Sequence, residues 1–93
     1  METVTSLPTV KSVDEVQEGH GLFELMGRSG DTKHTWDPKK SGEVEAAKAL
    51  FETLQSKGQR IFRLSRFGGK GELMREFDPS AGRLLAVPPL SGG

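Results

Sequence analysis

The longest regular pattern runs over residues 41–57, where Val44, Ala47, Leu50, Phe51 and Leu54 recur at intervals of three and four. That spacing places them on one stripe of an α-helix. Glu43, Glu45, Lys48 and Glu52 fall on the remaining arc and form its solvated face. Ser41 stands where it can cap the amino end, while Glu43 and Glu45 suit the positive pole and Lys57 the negative pole. Gly58 follows at the position where helices commonly stop.

On either side of this helix the period shortens to two. Residues 21–26 (GLFELM) read as a strand, and in residues 32–36 Thr32, His34 and Trp36 alternate with Lys33 and Thr35. A five-residue link containing two glycines joins them, which predicts a hairpin ending at Asp37-Pro38. Residues 59–67 (QRIFRLSRF) form the next strand, with Phe62 and Leu64 expected inward against Ile61, Arg63 and Ser65. A turn at 68–71 leads to a returning strand at 72–77, and Pro79 and Gly82 shape the turn at 78–82. Arg83–Val87 is apolar enough to be covered on both faces, and Pro88-Pro89 ends it because proline donates no ladder bond.

The predicted order is therefore ββαβββ. One helix covers one face of a sheet, so the fold class is α+β, a two-layer sandwich with one helix on a mostly antiparallel or mixed sheet. The helix stripe should meet Phe62, Leu64, Phe77, Leu84 and Leu85, with Phe23, Leu25 and Trp36 closing the core. Ahead of this domain, Leu7, Val10, Val13 and Val16 keep a spacing of three. Pro8 and the β-branched residues weaken a helix there and favour an extended or weakly structured arm. The chain thus divides into an arm at 1–20, a domain at 21–87 and a tail at 88–93.

Ninety-three residues give one domain, with no room for two separate cores. Absence of cysteine removes disulfides, thiolate metal cages and a thiol nucleophile. The apolar runs are too short for a membrane span, and the residues after Met1 lack the basic-then-apolar pattern of a secretory signal. Thirteen Lys and Arg balance thirteen Asp and Glu, which disfavours a dedicated polyanion binder. The charge is nevertheless segregated. Residues 1–31 hold two cations against six anions, a net of minus four, and residues 57–75 hold six cations against Glu72, a net of plus five.

Three constellations have the residue types for chemistry but not the spacing. His34 and Asp37 could supply two metal ligands, yet residues three apart on a strand point to opposite faces. Ser29, Asp31 and His34 could be a triad, yet no nucleophile elbow surrounds the serine. Phe67-Gly68-Gly69-Lys70-Gly71 could cradle phosphate, yet it lacks the P-loop spacing and leads to a strand instead of a helix. His20 lies on a different segment from His34. No catalytic residue, metal or cofactor is predicted. The basic segment fits a protein partner, or a further copy of this chain, through Arg60, Arg63, Arg66 and Lys70. The tail adds Pro88, Pro89, Gly92 and Gly93, and β-edge addition or docking of the arm would provide the contacts. Interleaved with Phe62 and Phe67, the same arginines leave a single-stranded nucleic acid as a third reading, with steep salt dependence as its mark.

Two resemblances add to this. The order ββαββ plus a further strand, with Gly92-Gly93 in the tail, resembles the β-grasp of ubiquitin-like proteins. It implies a sheet wrapped on one helix and a glycine used for isopeptide or thiocarboxylate chemistry. Pro88-Pro89 and the lack of arginines in the tail depart from the classical modifiers. The runs GRSGDTKHTWDP, EVEAAKALFETLQSKG and REFDPSAGRLLAVPPLSGG resemble a family of small uncharacterised proteins of tailed phages and mobile elements. Gly30-Asp31-Thr32, Trp36-Asp37, Phe77-Asp78-Pro79 and Pro88-Pro89 carry that second likeness. It implies a phage virion-associated component of capsid, neck or tail, located in the virion or the host cytoplasm. The expected function is that of a non-enzymatic structural or interaction protein. A ubiquitin-like modifier or sulfur carrier is the alternative.

Overall fold

The computed structural model describes residues 7–27, 30–64 and 71–89 and shows one helix packed on a six-stranded mixed sheet. Strands β1 (Thr9–Val10), β2 (Gly21–Gly27) and β3 (Gly30–Trp36) precede helix α1 (Ser41–Ser56). Strands β4 (Arg60–Arg63), β5 (Glu72–Leu73) and β6 (Arg83–Val87) follow it. Their order in space is β1-β3-β2-β6-β4-β5. β2 and β6 run parallel at the centre, and every other neighbouring pair is antiparallel. The α+β sandwich and the ββαβββ order within 21–87 are as the sequence predicts. The arm adds a sixth strand, β1, on the outer edge of β3.

Helix α1 buries Ala46, Ala47, Phe51 and Leu54, with Val44 and Leu50 half-buried beside them. Ser41 is its first residue and not its cap. Lys40 holds the cap position without a side-chain bond, because the turn closed by Lys40 N–H donating to Asp37 O (2.9 Å) delivers the chain there. The first turn is closed by Glu43, whose Oε1 accepts from the Asp37 amide at 2.8 Å. At the other end the Lys57 amide donates to the Leu54 and Thr53 carbonyls, and Gly58 takes φ +85°, where a glycine is needed.

Four aromatic rings form a closed cycle beneath the helix. Phe23 meets Trp36 at 6.4 Å and Phe51 at 6.5 Å, and Phe77 meets Trp36 at 5.4 Å and Phe51 at 5.9 Å, all edge to face. Phe23, Trp36 and Phe51 are fully buried, and Trp36 Nε1 donates to Pro79 O at 3.2 Å. Leu7, which the sequence pattern assigns to the arm, joins this core.

The strands after the helix depart from expectation. On β4, Ile61 faces the core and Phe62 the opposite face, because Ile61 pairs with buried Ala86 and Phe62 with half-exposed Leu85. A one-residue change of phase exchanges the two faces of a strand, and Leu85 is displaced from the core for the same reason. Leu64 sits half-buried just past the end of β4. β6 buries Leu84 and Ala86, while Arg83, Leu85 and Val87 stay partly exposed, so it is not covered on both faces. β5 keeps two residues of the six expected. After Met74 N–H donates to Ile61 O (2.9 Å) the chain leaves the sheet, and Phe77 turns back to complete the ring cycle.

Candidate functional site

The helix covers one face of the sheet, and alternation decides what the other face displays. The register sets a row across five strands: Lys33 opposite Glu24, Glu24 beside Leu85, Leu85 opposite Phe62, and Phe62 opposite Leu73. Two residues of that row are charged and three are apolar. On the apolar part Leu73 is 50% exposed and Leu85 and Phe62 are half-buried, and elsewhere on the same face Met26 of β2, opposite Asp31, is 48% exposed. Arg60 lies opposite Val87 on the same side and is exposed.

On the polar part, Arg83 Nε donates to Glu24 Oε1 at 2.9 Å across two strands whose residues are 59 positions apart. Glu24 is buried, and this pairing is what permits a carboxylate there. Lys33 Nζ donates to Asp31 Oδ2 at 2.6 Å. That bond holds the Asp31 carboxyl below its ordinary value and raises the Lys33 ammonium.

In the turn before β6, the Ser80 hydroxyl (2.7 Å) and amide (2.9 Å) both donate to Asp78 Oδ1 and hold that carboxyl below 3.8. A depressed carboxyl means that the unfolded chain binds more protons, so stability rises with pH across this window. The contribution is complete above 3.8, the ordinary value, and is lost as pH falls through the lower folded value. Urea titrations at stepwise lower pH should show a small loss of stability below about pH 4, and Asp78→Asn should flatten that slope. An unchanged slope in the variant would mean that the Ser80 bonds do not hold the carboxylate in solution.

The structure separates several residues that the sequence grouped. Arg60 and Arg63 stand at opposite ends of β4, Arg60 beside the apolar row and Arg63 opposite Glu72. Pro88 and Pro89 are exposed just past β6, with Pro89 next to Gly58. Arg66, Lys70, Gly92, Gly93 and Ser29 lie outside the described residues. Asp31 shares the open face with Lys33, and His34 takes the helix side beside Phe23, so these two residues of the imagined triad are on opposite faces. Asp37 meets His20 instead of His34, Nε2 to Oδ2 at 3.6 Å. Among the described residues no three His, Asp or Glu side chains converge as a metal-holding group. The described part of the arm pairs with β3 through β1, and Thr35 N–H donates to Pro8 O at 2.9 Å. It does not lie along the basic strand β4.

Sequence reading missed the Glu24–Arg83 pair. Its signal was a glutamate in the middle of an otherwise apolar strand, which has to find a cation somewhere. No helix among the described residues is long and apolar enough to cross a membrane. Comparison with protein-family models, with curated proteins and with solved structures finds no match to this chain.

Proposed function

We propose that this chain is a non-enzymatic interaction protein, a small component held within a larger phage assembly through the open face of its sheet. The row Leu85–Phe62–Leu73 carries the reading. It is a line of apolar side chains on a face that no helix among the described residues covers, bordered by Arg60 on one side and by the Glu24–Arg83 pair on the other. Exposed apolar strips with a polar rim mark protein contacts, and large side chains near their centre supply most of the affinity. Phe62 is the anchor, Leu73 the flank, and the border charges set register. The phage setting comes from the sequence likeness in Gly30-Asp31-Thr32, Trp36-Asp37, Phe77-Asp78-Pro79 and Pro88-Pro89.

The strand order favours a second reading, a ubiquitin-like modifier or sulfur carrier. Two hairpins flank a central parallel pair made by the first and last long strands, as in a β-grasp, and Pro88 and Pro89 continue directly from the central strand toward Gly92 and Gly93. Fold order alone says little about function, which is why it stands second.

Mass spectrometry of the native protein in particle and soluble fractions separates the two. The lead reading expects intact 10.1 kDa chain at a fixed ratio to other components of purified particles. It also expects Leu73→Glu, at an exposed position, to lower that ratio about tenfold with the fold retained. Intact chain confined to the soluble fraction sinks the lead. Adducts joined through Gly93 to lysines of other proteins, lost when Gly93 is deleted, establish the second reading.

A further inference from the structure

The row from Lys33 to Leu73 has a neighbour on the same open face. Two residues further along the strands, Asp31 lies opposite Met26, and Arg60 lies opposite Val87. Met26 and Val87 directly follow the parallel partners Leu25 and Ala86, so they stand side by side. The second row therefore reads Asp31–Met26–Val87–Arg60, with an anion at one end, a cation at the other and apolar side chains between. Asp31 and Arg60 are exposed, Met26 is 48% exposed and Val87 is half-buried. On the other side of Glu24 and Lys33, Leu22 and Thr35 on the same face are buried. The accessible part of the face thus centres on these two rows.

Such a face is complementary to itself. A two-fold axis parallel to the strands, placed between β2 and β6 at the centre of the strand order, reverses that order and keeps the rows in step. Asp31 of each copy then faces Arg60 of the other, and Met26 faces Val87. In the first row Lys33 faces the ring of Phe62, a favourable place for a cation. Val10, set beside Lys33 by the register, faces Leu73. Glu24 faces Leu85 and keeps its bond to Arg83, so no carboxylate is left without a partner. Two-fold interfaces must match themselves in this way, and stacked sheets keep their strands within about 30° of one another. The formal charge of the chain is zero, so two copies do not repel as wholes. We propose that a second copy of this chain covers the open face, the two sheets stacked about that axis and Asp31 of each copy paired with Arg60 of the other. The proposal rests on the reading of this face as a protein contact and names its partner.

The test is sedimentation equilibrium of the full chain at concentrations from about 10 µM to about 1 mM. Two rows of side chains make a smaller contact than the ~800 Å² per partner of a standard interface, so a Kd of about 100 µM is expected. Asp31→Lys and Arg60→Glu, both at exposed positions, each set like charges against one another twice per dimer. Each should weaken the dimer about tenfold, and the two changes combined in one chain should restore it. A chain that stays monomeric throughout overturns the inference. So does a dimer that neither single change weakens, or a combined variant that associates no better than the single ones. Retention of Leu73→Glu in purified particles is read separately. A monomer in solution whose Leu73→Glu variant is still lost from particles removes the second copy and leaves the face as a contact for another protein.

Discussion

Phe51→Ala is expected to remove about 3–5 kcal/mol of folding stability, the upper range for an aromatic taken out of a core. Small domains hold only about 5–15 kcal/mol in total, so the variant should be near the edge of unfolding at 37 °C. The size of the effect follows from position. Phe51 has no exposed surface, and its ring touches both Phe23 and Phe77, so its removal opens the four-ring cycle on two sides at once. Edge-to-face pairs contribute beyond the apolar area they bury, and both would be lost. Leu50, one position earlier, is only half-buried, so Leu50→Ala should cost about 2 kcal/mol, the low end for such a truncation. Urea unfolding followed by the fluorescence of Trp36, the sole tryptophan, measures both. An order reversed between the two variants would mean that the helix is rotated about its axis relative to the sheet.

That order could be read from sequence in part. The period of α1 names the stripe, yet Leu50 and Phe51 are adjacent in it, and only the sheet beneath decides which of them points to the centre. The strands show the same limit more sharply. Alternation in 59–67 allows either Ile61 or Phe62 to face inward, and residue size favours Phe62. The structure chooses Ile61 because β4 pairs with β6 in the register that sets Ile61 beside Ala86. Register is a relation between two segments more than twenty residues apart, and no local pattern contains it.

The open face was illegible for the same reason. Leu85, Phe62 and Leu73 come from three segments, and the sequence pattern assigns Leu85 and Phe62 to the core. Their exposure follows from the single helix, which covers one face, and from the phase of each strand, which puts them on the other. The positive total over residues 57–75 does not gather on one surface, because β4 sets Arg60 beside Val87 at one end and Arg63 beside buried Leu84 at the other, on opposite faces. His20 and the arm likewise could not be placed from spacing. The spacing of three in the segment after β1 suits only a short turn, and its position is fixed by β1 pairing with β3 and by Leu7 entering the core.

Gly21→Ala should be damaging, although a glycine-to-alanine change at the start of a strand reads as harmless. The register sets Gly21 opposite Trp36, and the indole lies across the glycine, so an added Cβ would overlap the ring. The ring has nowhere to go. Its nitrogen is bonded to Pro79 O, its edges rest on Phe23 and Phe77, and it is fully buried. Relief must come from the backbone of β2, whose parallel neighbour β6 would be moved with it. Overpacking of this kind costs about 1–3 kcal/mol, and more where neighbours are fixed. Gly42→Ala supplies the contrast. It makes the same chemical change in the first turn of α1, where a Cβ meets nothing, and should stabilise by about 0.5–1 kcal/mol through helix preference and a less flexible unfolded chain. Thermal melts of the two variants should therefore move in opposite directions. If Gly21→Ala melts with the unaltered protein, Trp36 does not lie over β2. The ring cycle and the hydrogen bond to Pro79 that depend on its placement would then have to be redrawn.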